Sequence, residues 1–422
     1  MKSGSVTAAP FPGTAMSLIV QKFGGTSLGD LERIARAAGH VKAALERGHR
    51  VVVVVSAMAG ETDRLVALAR TAGNDPESAE HDAIVASGEQ VSAGLLALML
   101  RGTGIAARSF HGWQVPLITD SSHSRARVLR IGPDALRTCM DAGGVPVVTG
   151  FQGVTDDGRI TTLGRGGSDL SAVTLAARLD AERCDVFTDV DGVFTCDPRI
   201  VAKAHKLDMI TYEEMLELAS QGAKVLHTRS VAVAMNYRVR LQVLSSFTGG
   251  PGTMVVDEDE VVEQQVVSAI AYSKDDAKIT MIGLPDRPGV AAALFGPLSE
   301  AGVNVDMIVQ NISPDGESTD LTFTVAESDL GKALDVLAES NRDLGASGIV
   351  PDSSVAKVSV VGVGMRSHAG VAGRMFATLA DKGINIQLIS TSEIKISVLI
   401  AEDYLELALR SLHSAYGLDA TG

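Results

Sequence analysis

The residues best suited to chemistry lie in several short polar turns rather than in one contiguous motif. Lys22-Phe23-Gly24-Gly25-Thr26-Ser27 follows an apolar run and leads into a helical pattern. Glycines there let backbone N–H groups approach phosphate oxygens, a helix N-terminus adds favourable partial charge, and Lys22 supplies a cation for a transferring phosphoryl group. A tight strand-to-helix turn with a solvated lysine has the same sequence. In Thr161-Thr162-Leu163-Gly164-Arg165-Gly166-Gly167-Ser168-Asp169, three glycines surround an arginine whose fork can grip a carboxylate or phosphate through two parallel hydrogen bonds. Ser168 and Asp169 also read as helix N-caps. The run from Thr188 to Arg199 is rich in turn formers and acceptors, as a loop around a nucleotide is. A calcium loop is the rival, but EF-hand spacing and its terminal glutamate are missing. Ser87-Gly88-Glu89 puts a glycine, about 1 kcal/mol worse than alanine in a helix, and a charge inside an apolar helical pattern. Close approach to a ligand explains it, and so does a helix-packing glycine beside an exposed glutamate. Lys224, within Gln221 to His227, reads on its own as a surface lysine.

These turns need elements to hold them. Leu18 to Phe23 is a short apolar run. The helix after it carries Leu31, Ile34, Ala38, Val41 and Leu45 on one face and ends near Gly48. Val51 to Val55, five valines in a row, suit a strand buried on both faces of a parallel sheet. Asp82 to Arg101 shows Ile84, Val91, Leu95 and Leu98 at helical spacing and stops at Gly102. Val145 to Phe151 reads as a strand, Ser168 to Leu179 as a helix and Asp185 to Val190 as a strand. Repeated strand-loop-helix order predicts an α/β fold with a mostly parallel sheet covered by helices. Each glycine-rich turn falls at the carboxyl end of a strand, where such folds bind ligands.

Composition narrows the function classes. The chain has 422 residues, 45% of them hydrophobic and 21% charged, enough for a catalytic domain and smaller companions. Its net charge of −14 and 4% aromatic content argue against nucleic acid or anionic membrane as partners. Cys139, Cys184 and Cys196 have no CxxC spacing, which fits a reducing compartment and gives no zinc site. No continuous apolar run approaches a membrane span, and residues 1–16 lack the core of a signal peptide, so a cytoplasmic protein is expected, with Met16 an alternative start. Neither Walker nor GxGxxG spacing occurs, and the nine histidines stand in no nucleophile motif.

The character changes after Thr248-Gly249-Gly250-Pro251-Gly252. That cluster and the acidic Asp257 to Glu260 read as a linker. Beyond it, Gly289 to Ile308 aligns without gaps on Gly370 to Ile389. Gly289/Gly370, Val290/Val371, Leu298/Leu379, Gly302/Gly383 and Asn304/Asn385 are among the identical pairs. Two copies of a β-α-β unit predict two small α+β modules.

In this order the segments resemble the aspartate kinases, from about Leu18 to the C-terminus, and the two repeats resemble ACT domains. Residues 1–16, small, polar and proline-containing, read as a flexible extension outside the family pattern, and 251–265 as a linker; the resemblance implies an amino-acid-kinase-like catalytic domain at 17–250 with its mostly parallel sheet sandwiched by helices, and ACT-type domains at 266–347 and 348–422. It implies ATP-dependent phosphorylation of L-aspartate, with Lys22 stabilising the transferred group and Asp169 organising the cluster around it. Ser56, Thr62, Glu89, Arg165 and Ser168 would hold aspartate. Lys22, Phe23, Gly24, Gly25, Thr188, Asp189, Phe194, Thr195, Cys196, Asp197, Pro198, Arg199 and Lys224 would surround ATP. Mg²⁺ would ride mainly on the phosphates, with no all-protein metal cage. Lysine, threonine or both would act as effectors at Asp286, Gly289, Ala291, Asn304, Asp306 and Gln310 of the first module and Asn385, Ile386 and Ser392 of the second. Gln387 stands where the first copy has Asp306, so the two pockets are expected to differ. A homo-oligomer through the ACT domains is implied, with a shorter regulatory subunit from a start near Met254 as a further option. Relatives of the same fold acting on acetylglutamate, glutamate or UMP are the enzymatic alternative, and an amino-acid sensor with an inactive kinase half is the non-enzymatic one.

Overall fold

A computed structural model of the chain describes residues 17–222, 225–261, 265–312 and 318–419. They form two compact units: residues 17–193, 206–215 and 225–261, and residues 194–205, 216–222 and 265–419.

The first unit opens with β1 (Leu18–Phe23), α1 (Leu31–Glu46) and β2 (Arg50–Val55). The valine run is fully buried, as a two-sided central strand requires. Next come α2 (Glu61–Ala72), α3 (Ala79–Val85), α4 (Ser87–Gly102), β3 (Ala107–Phe110), β4 (Leu117–Thr119), β5 (Val128–Ile131), α5 (Asp134–Asp141) and β6 (Val145–Thr149). The chain continues through β7 (Gln152–Val154), β8 (Ile160–Thr162), α6 (Gly167–Arg178), β9 (Arg183–Thr188), β10 (Met209–Thr211), α7 (Tyr212–Ser220), α8 (Thr228–Tyr237), β11 (Leu241–Ser245) and β12 (Thr253–Val256). Eight strands form one sheet in the order β10-β12-β11-β9-β1-β2-β6-β3. Only β11 and β12 pair antiparallel in it. A smaller sheet, β5-β4-β7-β8, carries the turn that precedes α6.

Three expectations change. Leu31 is 59% exposed, and α1 instead buries Ile34, Ala37, Ala38, Val41 and Ala44. In α4 the predicted face is the outer one: Val91 and Leu98 are 53% and 65% exposed, while Gly88, Glu89, Ser92, Ala93, Leu96, Ala97 and Leu100 face inward. The buried stripe is rich in small residues, so the helix lies close to its neighbours. Together α3 and α4 span Ala79–Gly102, long and apolar enough by composition to cross a membrane, yet half of the apolar window is buried as a core helix. Finally, the segment read as a linker contributes β12, which pairs with both β10 and β11.

The second unit holds both repeats. The first sheet, β15-β16-β14-β17, is built from β14 (Asp276–Pro285), β15 (Val305–Ile312), β16 (Ser318–Ala326) and β17 (Gly348–Asp352), and is covered by α9 (Val290–Glu300) and α10 (Leu330–Leu344). The second, β13-β18-β20-β19, combines β13 (Ala269–Ser273), β18 (Val355–Val361), β19 (Ile386–Thr391) and β20 (Lys395–Ala401) with α11 (Val371–Asp381) and α12 (Leu405–Ala415). The modules therefore exchange strands relative to the expected boundaries at 266–347 and 348–422. The strand β13 completes the second sheet, and β17 completes the first. The repeat itself is kept in detail: Gly289 and Gly370 cap α9 and α11 at φ +95° and +96°, a conformation that favours glycine.

Candidate active site

Lys22 stands at the carboxyl end of β1, in register with Val54 on one side and Val186 on the other. Its ammonium forms a 2.6 Å ion pair with Asp169 in the first turn of α6, both side chains being nearly buried. The next residues do not enter α1 directly. Gly25–Leu28 makes a 3₁₀ turn, and α1 begins later, capped by Asp30. Gly24 donates its N–H to the Phe187 carbonyl, and a Cβ on Gly25 would lie 3.0 Å from the Ala57 carbonyl oxygen. A side chain would crowd the backbone at Gly25, whereas at Gly24 a Cβ would meet ordinary contacts, the nearer being Lys22 Nζ at 3.4 Å. Phe23 is fully buried and stacks on Phe187, with 4.7 Å between ring centroids, so its side chain is core.

Behind Lys22 the ends of β2 and α4 meet. A Cβ on Gly88 would fall 2.8 Å from that of Ala57. Close packing at that glycine brings Glu89 to the turn, where one carboxylate oxygen accepts the Ala57 N–H at 3.0 Å. The other oxygen is buried without a hydrogen-bond partner among the described residues. Glu89 is only 3% exposed, and burial pushes its carboxyl up to about 7 against the pull of the Ala57 N–H. A buried acid with a free oxygen in a cleft has the chemistry to receive a cationic group.

The arginine loop forms the opposite wall. Gly164 and Gly166 have φ +77° and +70°. Gly166, not Ser168 or Asp169, occupies the N-cap of α6, so the capping reading of those two side chains does not hold. A Cβ on Gly166 would lie 2.4 Å from the His227 side chain, and one on Gly150 would lie 2.8 Å from Ser168. Arg229 reaches under the loop and donates to the carbonyl oxygens of Leu163 (2.5 Å) and Ala126 (3.1 Å). Arg165 itself is exposed, with no hydrogen-bond or ion-pair partner among the described residues. Lys22, Ser56, Thr62, Glu89, Arg165, Ser168 and Asp169 all line one cleft of about 360 Å³. Sequence reading missed Asp82, His123, Ser124, His227 and Arg229, which support the loop from behind. Only His227 sat in a segment already singled out, and burial pushes its imidazole below the usual range.

The other expected residues fall elsewhere. Thr188 follows Phe187, the register partner of Phe23, and its hydroxyl meets Asp189 at 3.2 Å. Phe194 to Arg199 belong to the second unit. There Thr195 hydrogen-bonds His413, and Cys196 lies in the hydrophobic core. Asp197 is held by Arg199 and by the Tyr272 hydroxyl, and the Arg199 hydrogen bonds keep its carboxyl below the usual range. Pro198 is exposed, and Lys224 lies outside the described residues. Asp286, Gly289 and Ala291 surround the exposed turn before α9, and Asn304, Asp306 and Gln310 lie exposed in and before β15. Asp306 is bound by the buried Lys357, at 2.6 Å, which also meets Asp276 at 3.3 Å. In the second module Asn385 and Ser392 are exposed and Ile386 is half-buried. Gln387, the counterpart of Asp306, accepts a hydrogen bond from Lys278.

Known proteins match along nearly all of the chain. The amino acid kinase family model covers residues 17–245, and ACT domain models cover residues 278–340 and 358–416. The chain is 55% identical over 406 residues to an aspartate kinase of Stutzerimonas stutzeri, spanning 96% of this chain and 98% of that one. Escherichia coli aspartokinase III, solved with aspartate and ADP, is 28% identical with a TM-score of 0.78, over 94% of this chain and 99% of that chain. The same enzyme solved with lysine and aspartate has a TM-score of 0.74 at 27% identity, over 94% and 99% of the two chains. The chain belongs to the amino acid kinase family, among the aspartate kinases that carry two C-terminal ACT domains.

Proposed function

We infer that the chain is an aspartate kinase, transferring the γ-phosphoryl group of ATP to the β-carboxylate of L-aspartate to give 4-phospho-L-aspartate and ADP. This is the first step toward lysine, threonine and methionine. The observation that carries the reading is the meeting, in one cleft, of the Lys22–Asp169 pair, the partnerless Glu89 oxygen and the free Arg165 fork. A carboxylate acceptor is already ionised at pH 7, so the reaction needs no general base. Its difficulty is bringing two anions together and neutralising the charge between them. Lys22 neutralises the transferring group, and Asp169 holds the Lys22 ammonium in place. Glu89 receives the aspartate ammonium, while Arg165 with Ser168 grips a carboxylate. The Gly24 N–H is held by the Phe187 carbonyl, so the Gly25 N–H is the one that faces the phosphates, which fits a nucleotide because no side chain intrudes there. Thr188 and Asp189, at the end of β9, hold the rest of ATP. Mg²⁺ is carried by the phosphates and supplies further charge neutralisation. The ACT modules bind lysine, threonine or both as feedback effectors, in keeping with the lysine complex of the E. coli enzyme.

Incubation with ATP, Mg²⁺, L-aspartate and hydroxylamine tests this directly. An acyl phosphate is captured as a hydroxamate, formed only when aspartate is present. ADP release without aspartate-dependent hydroxamate would overturn the assignment.

A further inference from the structure

Asp82 is fully buried on α3 and takes no part in the chemistry described above. Burying a carboxylate is unfavourable by several kcal/mol unless donors surround it. Here they do. One oxygen accepts the Thr162 hydroxyl at 2.7 Å and the Ser124 N–H at 3.1 Å. The other accepts the Thr162 N–H at 2.9 Å, lies 2.9 Å from His123 Nδ1, and is 3.0 Å from the Ser124 nitrogen. Thr162 lies 80 residues from Asp82 and ends β8, three residues before Arg165.

The knot fixes the ground under Arg165 in two ways. It holds the end of β8 directly. It also holds Ser124 at φ +64°, a left-handed conformation that a serine adopts at a penalty of roughly 1–3 kcal/mol. In that conformation the Ser124 carbonyl oxygen lies 3.0 Å from where a Cβ on Gly164 would stand, with the Arg125 backbone beside it. The Ala126 N–H closes the layer by donating to the Thr162 carbonyl at 2.9 Å. Arg165 hangs from this layer with no partner of its own among the described residues, so the backbone of the layer sets the point from which its fork reaches. Asp82 on α3 also lies seven positions before Glu89 on α4, the two helices being joined through Ala86, whose N–H donates to the Asp82 carbonyl at 2.9 Å.

We propose that Asp82 is a positioning residue that sets the Arg165 carboxylate clamp at a fixed distance from the Glu89 ammonium receptor, so that α3 and α4, joined through Ala86, measure the length of the amino-acid acceptor. The proposal rests on the reading of Arg165 as the acceptor clamp. A displacement of about 1 Å at such a clamp is enough for a large loss of rate. Asp82→Asn places an amide NH₂ among N–H donors that want an acceptor. The effect passes through Arg165, so it belongs to aspartate and not to ATP.

The test is a double-mutant cycle of Asp82→Asn with Arg165→Met, read as KM for aspartate, KM for ATP and melting temperature. Thr162→Val, which removes one donor and keeps its N–H, is the gentler probe. The expected result is a roughly tenfold or larger rise in KM for aspartate in Asp82→Asn and a smaller rise in Thr162→Val. KM for ATP stays within about twofold, and Asp82→Asn adds less than about twofold once Arg165 is methionine. An unchanged KM for aspartate, an equal rise for both substrates, or effects that multiply independently would each overturn the proposal. If Asp82→Asn fails to fold, Thr162→Val alone and with Arg165→Met decides on the same criteria. Arg165→Met leaving KM for aspartate unchanged would instead refute the clamp itself.

Discussion

Glu89→Gln should weaken aspartate binding and stabilise the free protein at the same time. Gln keeps an oxygen for the Ala57 N–H and replaces the partnerless oxygen with an amide. Burial raises the Glu89 carboxyl from its usual 4.5 to about 7, so in the folded chain it holds its proton over a range where the unfolded chain has lost it. Stability from this group is therefore full below pH 4.5 and is lost as pH rises through about 7. At pH 8 the ionised, buried carboxylate costs at most about 3 kcal/mol at 1.36 kcal/mol per unit. Glu89→Gln removes that penalty. The variant should melt higher at pH 8, by roughly 2–4 °C per kcal/mol recovered in a unit of this size, and within a degree or so of wild type near pH 4.5. A charge-assisted hydrogen bond to an ammonium is worth about 1.5–3 kcal/mol, so KM for aspartate should rise about 10- to 150-fold. In the wild type, KM for aspartate should climb as pH falls below 7 and Glu89 takes up its proton. Differential scanning fluorimetry at two pH values and initial rates on the same preparations suffice. A variant that melts lower at pH 8, or binds aspartate as well as wild type, would refute the ammonium-receptor role.

Two further substitutions test packing, one beside the site and one within the second unit. Gly166→Ala forces a Cβ to 2.4 Å from His227 at φ +70°, which should cost about 2–4 kcal/mol and lower kcat/KM for aspartate; urea denaturation and rates read both, and an unchanged midpoint would contradict the crowding. His413→Ala removes a fully buried ring bridging the Thr195 hydroxyl and Asp419, at 2.9 and 2.8 Å. It should destabilise the protein by about 2–4 kcal/mol through lost hydrogen bonds and a cavity, and an unaltered melting curve would show the bridge to be dispensable.

Local signals in the sequence were enough for the central strand and for the helix starts of the repeat. Five consecutive valines specify a strand buried on both sides, and the Gly289 and Gly370 repeats specify equivalent helix starts. Three glycines around one arginine are harder to explain as helix capping, and that drew attention to Arg165, which lines the cleft. The inner face of α4 was not legible, because periodicity weighs large aliphatic side chains, whereas close packing at Gly88 selects small ones and turns Val91 and Leu98 outward. The exchange of β13 and β17 between modules leaves no local trace, since either strand satisfies either edge. Asp82 was invisible for the same reason: its partners are 41 to 80 residues away, and a helix aspartate ordinarily reads as solvated. The 3₁₀ turn after Gly24 also escaped, because glycines next to a helical pattern mark a turn without fixing its length.

The central claim is that polar turns from separate strands converge so that Lys22 meets the phosphoryl group in flight. Turnover of Lys22→Ala at saturating ATP and aspartate tests it most directly, with aspartate affinity followed by calorimetry on the same protein. Loss of the cation should cut kcat by about a thousandfold, while aspartate affinity stays within a few-fold. A Lys22→Ala enzyme that turns over at the wild-type rate would contradict the account.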